Sequence, residues 1–165
     1  MHTQDLLKEL GLKIGLDDLA LDEHNICRLI FDGKITIDME PDAHGKALFL
    51  YTTITACPEE NQAPFLAKLL GANAFGRDTG NAFFCLDPDD GDVMLQEKFH
   101  LDELTYESFF SRFEAFVERT EDWLSRVEAG ELDSRLDAGM AVNGDKSHGE
   151  PVSALQMMMG NFIRG

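Results

Sequence analysis

LLGANAFGRDTGNAFFCLDPDDGDVMLQEKF, residues 69–99, holds in one run a helix end, a Gly-rich loop, a strand, an acidic turn and a second strand. Asn73, Gly76, Gly80 and Asn81 tolerate positive φ, so the chain can reverse among them. Phe83–Leu86 is a short apolar run with β propensity. Asp87-Pro88-Asp89-Asp90-Gly91-Asp92 is turn chemistry. In the run that follows, Val93, Leu95 and Phe99 share one face, with Gln96 and Lys98 on the other. Two ligand readings fail on spacing. Gly76 and Gly80 fit neither the dinucleotide nor the phosphate-loop pattern, and no lysine follows them. Setting Gly91 at the sixth position of a calcium loop puts Leu86 and Pro88 where side-chain ligands are needed. The acidic run therefore reads as a solvated hairpin turn.

Working outward, Pro58–Gln62 leads into a helix with Pro64 in its first turn and Phe65, Leu66, Leu69 and Leu70 on a broad apolar stripe. Before it lie three strands, at about 26–31, 34–40 and 47–54. Asp32-Gly33 marks a hairpin between the first two, and Pro41–Gly45 turns the chain again. Ile35, Ile37 and Met39 alternate with Lys34, Thr36, Asp38 and Glu40. Leu48, Leu50 and Ile54 oppose Phe49 and Tyr51. The first and third strands are apolar on both sides, so cover is expected on both faces of the sheet. Gln4–Leu10 reads as a short amphipathic helix ended by Gly11. On the far side, a long helix runs from the N-cap Thr105 to Gly130, its period kept by Phe109, Phe113, Phe116, Val117, Thr120, Trp123, Leu124 and Val127. The order α-β-β-β-α-β-β-α predicts an α+β domain over residues 1–130, a twisted antiparallel sheet with three helices. Residues 131–165 read as a flexible tail, dispensable for folding. It is small and polar as far as Pro151, then carries Val152, Leu155, Met158, Met159, Phe162 and Ile163 at helical spacing.

The chain's 165 residues suffice for one core, and 44% hydrophobic content excludes wholesale disorder. A formal charge of −17 repels phosphates and anionic lipid, which argues against nucleic-acid or membrane partners. The opening MHTQDLLKEL lacks the basic and apolar regions of a signal peptide, and no stretch approaches the ~18 apolar residues of a membrane span. Cys27, Cys57 and Cys85, odd in number and far apart, read as reduced thiols of a cytosolic protein, with Cys85 a small core residue. The five histidines form no HxxxH unit, no cysteine sits in a CxxC pair, and no GxSxG elbow occurs. No catalytic site, metal or cofactor is expected.

Leu69-Leu70, Asn73-Ala74-Phe75, Thr79-Gly80, Leu86-Asp87-Pro88 and Val93-Leu95-Gln96, in that order, resemble the core signature of class I type III secretion chaperones of the Tir-chaperone (CesT-type) family. The resemblance covers about residues 3–129. It departs at Asn81, where the family usually has a second glycine. It implies a bacterial cytoplasmic homodimer, not an enzyme, that binds the N-terminal region of one or more secreted effectors and keeps them competent for export. It adds the ATPase of the export apparatus as a further partner. It places the dimer contact on Phe65, Leu66, Leu69, Leu70, Phe83, Phe84 and Leu86. A regulatory adaptor of the same fold, bound to a regulator of secretion gene expression, is the alternative. Unmatched apolar surface suggests client contacts at Leu6 and Leu10 on the first helix and Ile35, Ile37, Leu48 and Leu50 on the sheet, with Phe49 and Tyr51 the set on the opposite face.

Overall fold

The computed structural model describes residues 2–132 and the backbone of residues 162–164. Helices α1 (Thr3–Ile14), α2 (Gln62–Asn73) and α3 (Tyr106–Glu128) accompany strands β1 (Cys27–Phe31), β2 (Ile35–Pro41), β3 (Ala47–Thr55), β4 (Phe83–Leu86), β5 (Val93–His100) and β6 (Phe162–Arg164). The sheet order is β4-β5-β3-β2-β1-β6, and every neighbouring pair is antiparallel. The expected α+β architecture holds, with a sixth strand added at its edge.

Strand alternation divides the sheet into unequal faces. Cys27, Leu29, Phe31, Ile35, Ile37, Met39, Leu48, Leu50, Val93, Leu95 and Phe99 all point inward and are buried. On that face lie Phe109, Phe113, Phe116 and Val117 of α3 and Leu6, Leu7, Leu10 and Ile14 of α1, in one continuous core. Its aromatic spine runs from Phe99 to Phe109 (ring centroids 5.1 Å apart), on to Phe113 (6.0 Å) and to Phe31 (6.3 Å). Thr105 caps α3 reciprocally with Ser108: each side chain accepts the other's backbone N–H at 3.2 Å.

The first helix is longer than its sequence suggests. Gly11 does not end α1. It lies inside it, pressed so closely against the Leu16 carbonyl that a Cβ would collide there. The helix stops four residues later at Gly15, in the left-handed conformation at φ 80°. The extra turn brings Ile14 into the core.

The loop after α2 also differs in detail. Gly76 and Gly80 do take positive φ, at 63° and 62°, but Asn73 is helical, and the third left-handed residue is Phe75 at φ 58°. Asn73 serves instead as a clamp on the sheet edge. Its Nδ2 donates to the Phe84 carbonyl at 3.1 Å, and its Oδ1 accepts from the Phe84 N–H at 2.7 Å. One side-chain amide thus satisfies both outward backbone groups of an edge residue. Trp123 of α3 fixes the same loop: its indole N–H donates to the Asp78 carbonyl at 3.0 Å, and its ring stands edge-on to Phe84 at 4.7 Å. Asn73→Ala leaves both Phe84 groups unmatched, so a loss of about 2 kcal/mol is expected in urea unfolding. Asn73→Asp, which keeps only the acceptor, should recover part of it.

The acidic turn is self-contained. Asp87 Oδ1 accepts from the Asp89 N–H at 2.8 Å, and Asp90 Oδ1 from the Asp92 N–H at 3.0 Å. Cys85 is not a core residue: it is half-buried, and inward-facing Phe84 takes the place expected for it. The core continues past Gly130 to Leu132, which is 8% exposed. Residues 133–161 of the expected tail, which hold most of its helically spaced apolar positions, lie outside the described residues. Phe162 and Ile163, expected to continue that helical period, lie instead in the extended segment Phe162–Arg164, which pairs with β1.

Candidate binding surfaces

Among the described residues, most of the large apolar side chains that folding leaves exposed come from residues 70–86: Leu70 (67% exposed), Phe75 (fully exposed), Phe83 (39%) and Leu86 (44%). Between α2 and β4 lies a hollow of about 260 Å³ lined by Leu66, Leu69, Leu70, Phe84, Cys85 and Leu86. The seven residues expected at a dimer contact all sit on these two elements, in unequal roles. Phe65, Leu69 and Phe84 are buried within the protomer, Leu66 is half-buried, and Leu70, Phe83 and Leu86 are open. Phe75 was missed by sequence reasoning. A bulky aromatic in a positive-φ position is uncommon and strained, and here the ring is held wholly in solvent. Its place between Asn73 and Gly76 in a reversing loop was the available signal. Burial pushes the Cys85 thiol pKa up, and Asp87 adds to the shift, so this thiol is a poor nucleophile.

The six residues expected to contact a client are core residues. Leu6, Leu10, Ile37, Leu48 and Leu50 are fully buried and Ile35 is 4% exposed. The two helices α1 and α3 close this face of the sheet together. They lie side by side on one face: Tyr106 Oη of α3 donates to the Glu9 carbonyl at 3.1 Å, and Lys13 Nζ stands 5.2 Å over the Phe110 ring. The open face is the opposite one, which carries Phe49 and Tyr51.

On that outer face Ile30, Phe49, Tyr51 and Met94 are half-buried. Charged groups frame them. Arg28 grips Asp38, its direct partner across β1 and β2, through Nε–Oδ1 and Nη2–Oδ2 bonds of 2.7 Å each. Tyr51 Oη donates to Glu40 Oε2 at 3.3 Å. Burial chiefly, then the charges of Asp38 and Glu40, raise its pKa. Lys98 Nζ lies 5.3 Å over the Phe49 ring. The face thus offers aromatic surface between fixed charges of both signs. Around the sheet's end, a second hollow of about 550 Å³ opens between the β1–β2 hairpin and the last turns of α3, lined among others by Phe31, Lys34, Ile35, Ile54, Leu124 and Val127.

A charge also lies on the inner face. Glu97, 3% exposed, accepts from Arg112 Nε at 2.7 Å, and Arg112 also donates to the Lys98 carbonyl at 3.2 Å. Burial raises the Glu97 pKa above its ordinary 4.5, and Arg112 offsets this only in part. The folded state therefore holds this proton more tightly than the unfolded state does. The stabilising contribution is complete at acid pH and is lost as pH rises from about 4.5 through the raised value. Glu97→Gln should thus be at least as stable as the parent at pH 7, the two converging in acid. Arg112→Ala, which strands the carboxylate, should cost roughly 3 kcal/mol at pH 7, a loss that shrinks on acidification. Thermal melts at pH 4 and pH 7 check both signs.

Among the described residues no group of three or more His, Cys, Asp or Glu side chains is placed to hold a metal ion, and no helix is long and apolar enough to cross a membrane. A Tir chaperone of Citrobacter freundii is 25% identical over 121 residues, 73% of this chain and 76% of that protein. In fold, the chain is similar to one in the crystal structure of the ExsC–ExsE complex, with a TM-score of 0.61, 24% identity, and 76% of this chain and 96% of that one covered. It is also similar to a chain in the HopA1–SchA chaperone–effector complex, with a TM-score of 0.59, 17% identity and coverages of 73% and 91%. The family model of the Tir chaperone protein (CesT) family matches residues 5–124, from α1 through most of α3, and the chain belongs to that family.

Proposed function

We propose that this chain is a cytoplasmic, homodimeric chaperone of type III secretion. It binds the N-terminal region of one or more secreted effectors and holds that region extended for export, handing it to the export ATPase. Family membership over residues 5–124 is the observation that carries this reading. The exposed apolar residues and hollow of α2 and β4 support pairing through a two-fold contact. The outer sheet face suits an extended client, since Phe49 and Tyr51 offer ring surface and the flanking charges select its polar positions. The net charge of −17 keeps such a particle dispersed despite its apolar patches.

The test is co-expression with the products of adjoining genes, followed by purification. A secreted protein should elute with the chain, held through its N-terminal region, and removing that region should abolish the complex. Phe49→Glu should weaken binding at least tenfold while the protein stays folded. Co-elution of a folded regulator of secretion genes, with no secreted protein captured, would replace this reading with the adaptor one.

A further inference from the structure

The two edges of the sheet are managed differently. At β4 the Asn73 amide occupies the rim of Phe84. At the other edge lies the chain's own C-terminal strand, with Leu29 opposite Arg164, Ile30 opposite Ile163, and Phe31 opposite Phe162. The contact is three residues long, against five pairs between β1 and β2 and eight between β3 and β5. So short a ladder at a sheet edge opens at low free-energy cost. An opened edge presents a row of backbone donors and acceptors that pairs with any extended chain.

We propose that the β1 edge is a strand-acceptor site and that Phe162–Arg164 is its resident occupant, a self-segment that an incoming extended polypeptide must displace. The surroundings of β1 suit such an exchange. A strand lying there presents alternate side chains to the two faces of the sheet. One face offers half-buried Ile30, and the other offers the hollow that begins at Phe31 and Ile35 and runs under Leu124 and Val127. The chain thus carries its own competitor, which blocks edge-to-edge association while the site is idle and sets a threshold for partners. The identity of the displacing strand, the N-terminal region of a secreted protein, rests on the proposed chaperone role; the occupancy of the edge does not.

The experiment compares the full-length chain with its Ile163→Pro variant, which lacks the N–H at the centre of the tail strand. Two quantities are read: hydrogen exchange of the Leu29–Phe31 amides, and binding of a labelled peptide copying residues 160–165. A tethered strand competes at an effective concentration of order millimolar. In the variant, the β1 amides that face the edge should therefore exchange at least tenfold faster, with β3 and β5 unchanged. The variant should also bind the peptide at least tenfold more tightly than the parent. Ile163→Val, which keeps the N–H, should track the parent. Equal exchange and equal peptide binding in parent and Pro variant would overturn the proposal, as would a Val variant that behaves like the Pro variant. No secreted protein enters the measurement, so its failure is separate from a failure to capture a client.

Discussion

Ile37→Asp should abolish folding: no soluble protein at ordinary expression temperature, or, if refolded, no cooperative melt by circular dichroism. Ile37 is fully buried at the middle of β2, directly across from Leu29 of β1. Arg112, which is only half-buried, is already held by Glu97 and donates to the Lys98 carbonyl. A new carboxylate would be unpaired in an apolar core, costing several kcal/mol on top of the lost aliphatic packing. That is comparable with the whole stability of a domain this size, about 5–15 kcal/mol. Leu10→Asp on α1 should behave the same way, since Leu10 is equally buried. Mutants that fold normally would mean that this face is an open surface rather than the core.

Leu70→Asp should do the opposite, leaving the fold intact and breaking the proposed dimer. Leu70 is 67% exposed on the rim of the hollow between α2 and β4, so the protomer tolerates a charge there. A two-fold contact sets the same patch against itself, which would bring two new carboxylates together and desolvate both. Light scattering should show the parent at twice the 18.4 kDa protomer mass and the variant at that mass, its association weakened at least a hundredfold. A parent that is already monomeric at micromolar concentration would remove the dimer from the account.

These two substitutions mark where sequence was and was not a sufficient guide. Ile37 and Leu70 look alike as apolar residues on amphipathic elements. Alternation in β2 identifies Ile35, Ile37 and Met39 as one face, but not which face the helices choose. That choice depends on α1 and α3 lying together, joined by the Tyr106–Glu9 bond between residues 97 positions apart. Period and capping were enough for α3, because Thr105 and the Phe109–Phe113–Phe116 stripe act within the helix itself. They misplaced the end of α1, because Gly11 is small for close packing against Leu16 rather than for a left-handed turn. The loop after α2 was legible as a reversal. The clamp by Asn73 was not, since its partner Phe84 becomes adjacent only once β4 has formed. Phe162–Arg164 carried too short a pattern to separate helix from strand, and pairing with β1 decided it.

The most direct test of the proposed role is the composition of the complex formed with an isolated client segment. A secreted protein identified by co-purification supplies its N-terminal region, which is mixed with the purified chain and examined by light scattering and hydrogen exchange. The account predicts a particle of two protomers and one segment, in which the segment stays non-globular and is protected only where it lies on the chaperone, with protection rising at Phe49 and Tyr51. A segment that binds as a folded domain, or a partner whose N-terminal region is dispensable for binding, would contradict it.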